Sequence, residues 1–218
     1  MKISVITPSI RPLGLDIVRT GLLKQTFIDF EWLVEIGLTK HDLNAAYNRM
    51  LKRAQGELIV SLQDYILIRP DYLQRWWDCY QEYPNTFLTA PVGKVNNLNF
   101  SLPAQWDWRA YRNDETKNIR SCEWNTWEID NGAAPLEALK AIGGFDETLD
   151  GIWSSDNVNV GCRAQLAGYE FKCLFDNPVL AYNHDAFLPH PYRESFDGSL
   201  NTKRMAMFRG GMTLPALH

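Results

Sequence analysis

Two carboxylates in this 218-residue chain stand where a fold can put them to chemical use. Asp64 lies in Gln63-Asp64-Tyr65, directly after the apolar run Leu58-Ile59-Val60-Ser61-Leu62. At the end of a buried strand such a carboxylate reads either as a ligand for Mg²⁺ or Mn²⁺ shared with diphosphate oxygens, or as a turn carboxylate capping local amides. Asp156 follows Gly151-Ile152-Trp153-Ser154-Ser155. Ser154 or Ser155 can serve as N-cap, which puts Asp156 in or beside the first turn of a helix. Val158, Cys162 and Leu166 recur every four residues and predict that helix's buried stripe. Asp156 then stands roughly 200° around the helix from Val158, projected away from the core as a candidate general base.

Other side chains can serve the same two groups. Thr7, Ser9 and Arg11 follow the first strand, and Arg11 is either a diphosphate partner or an ordinary surface arginine. Asn44 and Asn48, at i and i+4 beside a helix's apolar stripe, either reach into a cleft or are solvated. His184, beside Asp185 at a strand end, is either a second metal ligand, a phosphate contact or a histidine satisfied by a backbone carbonyl. Trp106, Trp108, Trp124 and Trp127 crowd an aperiodic stretch, as flat platforms for sugar rings or as core. Arg193, Lys203, Arg204 and Arg209 lie in a polar C-terminal segment, a lid over an anion or a solvated tail.

The elements that must position these groups follow from periodicity. Ile3–Pro8 reads as a buried strand, and Glu31–Ile36 and Glu57–Leu62 read as a second and a third strand. Between them lie helices over 15–24, with Ile17, Val18, Leu22 and Leu23 inward, and over 41–55, with Leu43, Ala46, Tyr47, Met50, Leu51 and Ala54 on one face. Strand, helix, strand, helix, strand with short loops implies a parallel sheet, whose ligands bind outside the strands' carboxyl ends. Asp71 caps a helix through Tyr80, and Phe87–Val92 is a fourth strand. Residues 93–130 form a Trp-rich insertion, a helix spans 135–142, and Gly143-Gly144 marks a turn. The helix of Asp156 runs on to Gly168, strands follow at 169–173 and 179–182, and residues 188–218 form the tail or lid. One α/β domain over 1–187 is expected.

The chain is 45% hydrophobic and 22% charged with a net charge of −4. That composition suits a globular core and argues against a dedicated nucleic-acid binder. No apolar run approaches the roughly 20 residues that span a bilayer. The N-terminal residues lack a signal peptide's apolar core, and Cys79, Cys122, Cys162 and Cys173 show no zinc or redox spacing. Reduced thiols in a cytoplasmic protein are expected.

Four segments in order resemble the family 2 glycosyltransferases, which have the GT-A nucleotide-sugar-binding fold: a mostly parallel, Rossmann-like sheet flanked by helices. Ile3–Pro8 looks like the family's opening strand and Thr-Pro loop. Leu43-Asn44-Ala45-Ala46-Tyr47-Asn48-Arg49 with Ala54-Gln55-Gly56-Glu57-Leu58-Ile59 resembles its Ala-Arg-Asn … Ala-x-Gly-Glu-Tyr-Ile helix and strand. Leu62 to Leu73 resembles the segment carrying its Asp-x-Asp metal motif. Gly143-Gly144-Phe145-Asp146-Glu147 … Ser155-Asp156 … Arg163 … Gly168 resembles its acceptor region, shared with galactosyltransferase C-terminal segments. The likeness spans about residues 1–185. It departs at Gln63-Asp64-Tyr65, which keeps one carboxylate of Asp-x-Asp, at Ile36-Gly37-Leu38-Thr39-Lys40, where an acidic residue is usual, and at Ser155-Asp156 for Glu-Asp.

The resemblance implies an inverting glycosyltransferase that moves a sugar from a nucleotide-diphosphate sugar to a glycan or other hydroxyl acceptor, with Asp156 as base. Thr7, Ser9, Arg11, Asn44, Asn48, Gln63 and Asp64 would bind the donor. Gly144, Trp153 and Ser155 would face the acceptor, and Asp64 with His184 would hold Mn²⁺ or Mg²⁺. Rival expectations are a sugar-phosphate nucleotidyltransferase, for which Ser9-Ile10-Arg11-Pro12-Leu13-Gly14 is a poor loop, and a non-catalytic glycan- or nucleotide-binding module.

Overall fold

In the first strand, β1 (Ile3–Ser9), every residue is buried, as expected of a strand covered on both faces. Ile3 and Val5 enter one core and Ile6 the other, so the sheet separates two hydrophobic layers. This computed structural model describes residues 1–10, 12–36, 42–95, 105–111, 118–150 and 156–182, the side chains at 12, 105, 108, 111 and 156 excepted.

After β1 come α1 (Leu15–Leu22), β2 (Phe30–Ile36), α2 (Leu43–Arg53), β3 (Leu58–Leu62) and β4 (Ile66–Leu67). Next are α3 (Tyr72–Glu82), β5 (Thr86–Thr89), β6 (Val92–Val95), β7 (Gln105–Trp106), β8 (Ile119–Ser121) and β9 (Asn131–Pro135). The last are α4 (Leu136–Ala141), α5 (Asp156–Leu166), β10 (Glu170–Leu174) and β11 (Val179–Tyr182). The central sheet has seven strands in the order β2-β1-β3-β9-β5-β10-β8. β2, β1, β3, β5 and β10 share one direction, and β9 and β8 run against it. β4-β11-β6-β7 form a second, four-stranded sheet. The α/β architecture and mostly parallel sheet agree with the expected fold class.

α1 and α3 cover one face with Val18, Leu22, Tyr72, Leu73 and Trp76. α2, α4 and α5 cover the other with Tyr47, Met50, Leu139, Val160 and Ala164. β3 alternates between them, Leu58, Val60 and Leu62 facing one layer and Ile59 the other. Asn131, fully buried, joins the sheets: its amide donates to the carbonyls of Ala90, Pro91 and Asn177 and its carbonyl oxygen accepts from the Tyr72 hydroxyl at 2.8 Å.

Several expectations need correction. β9 lies between β3 and β5, although Asn131-Gly132-Ala133-Ala134-Pro135 has no β-branched or aromatic residue to announce a strand. The strand expected over 87–92 breaks at Ala90-Pro91, where the chain passes from one sheet to the other. α1 ends at Leu22, and Leu23, expected inward, is 81% exposed. On α5, Leu166 is 73% exposed and Cys162 half-buried; the buried positions are Asn157 to Gly161 and Ala164, so polar anchoring replaces the expected apolar stripe. Within 93–130, β7 joins the second sheet and β8 the edge of the first. No helix among the described residues is long and apolar enough to cross a membrane.

Candidate functional site at the carboxyl edge of the sheet

β1 and β3 are parallel, with Ile6 opposite Ser61, so residues just beyond them share one edge of the sheet. There the Ser9 hydroxyl donates to Asp64 Oδ2 at 2.8 Å, and both side chains are buried, Asp64 being 1% exposed. This bond joins the end of β1 to the loop after β3. Asp64 and Ser9 are hard oxygen donors of the type Mg²⁺ and Mn²⁺ accept with phosphate oxygens and water completing the shell. One carboxylate is the minimum for such a site. Among the described residues no group of three or more His, Cys, Asp or Glu side chains converges to hold a metal through protein ligands alone.

The other donor-side candidates have defined partners. Thr7 is fully buried and its hydroxyl accepts from Trp32 Nε1 at 3.0 Å, which places it inside the sheet, tied to β2, rather than on an open wall. Gln63 donates to the Tyr47 hydroxyl at 3.3 Å, and Tyr47 stacks on Phe145 with ring centroids 4.6 Å apart. Gln63 is thereby linked to the turn after α4.

That turn begins as a helix stop. Gly143 N–H donates to Lys140 O at 2.9 Å and Gly144 N–H to Leu139 O at 2.8 Å, with Gly143 at φ 85° and Gly144 at φ 69°. The paired bonds are the Schellman pattern, which needs a residue free to enter positive φ. The rest of the turn is held by the two asparagines expected to meet a ligand. Asn48 Nδ2 donates to Phe145 O and Glu147 Oε1, each at 2.8 Å, and its Oδ1 accepts from Phe145 N–H at 2.8 Å. Asn44 Nδ2 and backbone N–H donate to Asp150 Oδ1 at 2.9 and 2.7 Å, and Ala45 N–H donates to Asp150 Oδ2 at 3.1 Å. Asp150 thus caps α2 from 106 residues away in sequence, satisfying donors that Asp42, the local cap position, leaves open. Burial pushes the Asp150 carboxyl up, and the amides of Asn44 and Ala45 oppose that rise. Gly144 faces Asn48, and its carbonyl accepts from Arg163 Nη2 at 2.7 Å. Asn44, Asn48 and Gly144 therefore hold this turn together.

α5 starts at the same edge. Asn157 Nδ2 donates to Glu128 Oε2 at 2.5 Å and Trp127 O at 3.4 Å, in the segment that leads into β9 at Asn131. β9 is antiparallel to β3, with Asn131 opposite Leu62, so its entry lies beside the exit of β3. The first residue of α5 is Asp156. Its backbone therefore shares an edge with Asp64. Its side chain, with Arg11, Trp153, Ser155, His184 and the segment 188–218, lies outside the described residues.

A buried charge cluster, absent from the sequence-level candidates, flanks this edge. Arg109 is 2% exposed; it pairs with Asp107 and with Asp130 at 3.3 Å, and its Nη1 donates to Thr89 Oγ1 at 2.9 Å. Burial opposes the guanidinium charge, but Asp130 and Asp107 outweigh it and hold its proton more tightly than usual. Asp-Asn-Gly at 130–132 was the only local signal, a turn signature. The expected tryptophan platforms divide: Trp127 is buried, edge-on to Phe87 at 5.7 Å, whereas Trp124 and Trp106 are half-buried. A groove of about 400 Å³ is lined partly by Asn48, Lys52, Lys140 and Glu147, and Asp64 is not among its described lining residues.

No protein-family model matches the chain, and no curated protein matches it in sequence. Solved structures do. Staphylococcus aureus TarS 1–349 matches with a TM-score of 0.64 at 18% identity over 86% of this chain and 62% of that one. The same protein in complex with UDP-GlcNAc matches with a TM-score of 0.67 at 15% identity over 99% and 68%. Its complex with UDP matches with a TM-score of 0.64 at 18% identity over 84% and 60%. The chain thus spans about three fifths of the TarS 1–349 length. At these identities the likeness defines the fold, which is of the GT-A type.

Proposed function

We propose that this protein is a nucleotide-sugar-dependent glycosyltransferase of family 2 type, acting by a single inverting displacement. The observation that carries the reading is the Ser9–Asp64 bond at the carboxyl edge of a GT-A sheet, on the edge where α5 begins with Asp156. TarS structures of the same fold in complex with UDP and UDP-GlcNAc support a nucleotide sugar as donor and make UDP-GlcNAc the first to try.

In this mechanism Asp156 takes the proton from an acceptor hydroxyl as that oxygen bonds to the anomeric carbon. The bond from that carbon to the diphosphate oxygen breaks, and its electron pair leaves with the nucleoside diphosphate. Asp64, with Ser9 beside it, would hold a divalent ion, which when bound supplies positive charge to the leaving diphosphate. Gln63 and Arg11 belong to the donor side, Trp153 and Ser155 to the acceptor side, and His184 is the candidate for a second metal ligand.

The test is release of free nucleoside diphosphate from a panel of nucleotide sugars, with Mn²⁺, Mg²⁺ or EDTA. Metal-dependent release supports the reading. Calorimetric binding without turnover for every donor would point instead to a binding module, a result the single carboxylate of Gln63-Asp64-Tyr65 makes worth checking.

A further inference from the structure

We infer that Glu128 is a positioning residue for Asp156, acting through Asn157; the inference rests on the transferase reading above. α5 carries few large buried apolar groups. Val158, Val160 and Ala164 are its buried aliphatic residues, and small side chains of this kind leave a helix free to slide by fractions of an ångström. Directional contacts set its place instead. Asn157, 6% exposed and next in sequence to Asp156, donates to Glu128 Oε2 at 2.5 Å and Trp127 O at 3.4 Å. An ionised acceptor makes this a charge-assisted bond, and an anion at the start of an eleven-residue helix is favoured by the helix dipole.

Glu128 is itself fixed to the sheet. Its neighbour Trp127 is buried against Phe87, and the Trp127 indole N–H donates to Ala133 O on β9 at 3.4 Å. Further along α5, Trp124 O lies so near Gly161 that a Cβ there would come within 2.6 Å, so the helix cannot move closer at that point. Arg163 ties the far half to the carbonyls of Ile142 and Gly144 and to Asn159 Oδ1. Of these ties, the Glu128–Asn157 bond lies nearest the start of the helix. Removing it leaves the first turn, among the described ties, held by the long Asn157–Trp127 O bond at 3.4 Å, while the remainder of α5 stays docked.

A displaced base costs rate far more than it costs substrate binding. Glu128→Ala is therefore expected to lower kcat for UDP release from UDP-GlcNAc by about 10- to 100-fold, with donor KM and calorimetric UDP affinity unchanged. Glu128→Gln keeps an oxygen to accept from Asn157 and retains most of the rate. Asn157→Ala reproduces the Glu128→Ala loss, with the fold checked by circular dichroism. The decisive arm is a double-mutant cycle: in an Asp156→Asn background, Glu128→Ala costs nothing further. An undiminished second loss in that background, or a Glu128→Ala enzyme with unaltered kcat, overturns the inference and leaves the base assignment standing. An Asp156→Asn enzyme with full activity removes the base assignment itself.

Discussion

Arg109→Met removes the guanidinium of the buried cluster and leaves its partners in place. Asp107 and Asp130 are 15% and 28% exposed at their side chains, so each keeps some water, but the guanidinium between them is 2% exposed. Breaking a buried ion pair by deleting one partner costs about 3–5 kcal/mol, because an uncompensated charge remains. The residual exposure of the aspartates argues for the lower end, about 3 kcal/mol. The substitution also strips Thr89 Oγ1 of its donor on β5. For a chain of this size each kcal/mol lowers the melting temperature by about 2–4 °C, so a drop of roughly 6–12 °C is expected. Differential scanning calorimetry at neutral pH measures it. Adding Asp107→Asn and Asp130→Asn should recover part of the loss, because the penalty lies in stranded carboxylates and not in lost side-chain volume. A melt within about 2 °C of the parent protein, less than 1 kcal/mol on the same scale, refutes the reasoning.

Gly144→Ala should destabilise the protein by more than Gly168→Ala, compared by urea unfolding. Both positions carry positive φ, costing about 1–2 kcal/mol for a residue with a Cβ, but only at Gly144 does the new carbon meet another atom closely, Asn48 Oδ1 at 2.5 Å. Thiol labelling of the native protein should reach the half-buried Cys122 and Cys162 first. Cys79, whose thiol is pushed up to about 12 chiefly by burial, and the buried Cys173 should react only on unfolding, so rapid modification of Cys79 in the folded state would contradict its placement.

The parallel half of the sheet was legible chiefly because β1 and β3 are buried on both faces and so appear as apolar runs, as in Ile3-Ser4-Val5-Ile6. α2 was legible because one face recurs at helical spacing. β9 was not: Gly132, Ala133 and Ala134 carry no pattern, and the ladders of β3 and β5 on either side impose the strand. The site divided in the same way. Ser9 and Asp64 were legible as sheet-edge residues because each stands at the end of a recognisable strand, and Asp156 as the first residue of a helix. Asn44 and Asn48 were legible on α2, but nothing local reveals that Asp150 and Phe145 arrive from about a hundred residues away to bond them. Glu128, Asp130 and Arg109 lie in a stretch without periodicity, where only tertiary contacts give them meaning.

The central claim is that Asp156 acts as the base in transfer from a nucleotide sugar. Its most direct test is the turnover of Asp156→Asn with the nucleotide sugar that the parent protein consumes, beside the calorimetric affinity of the same variant for the matching nucleoside diphosphate. A loss of about 10²- to 10⁴-fold in kcat with that affinity retained is expected; undiminished turnover would contradict it.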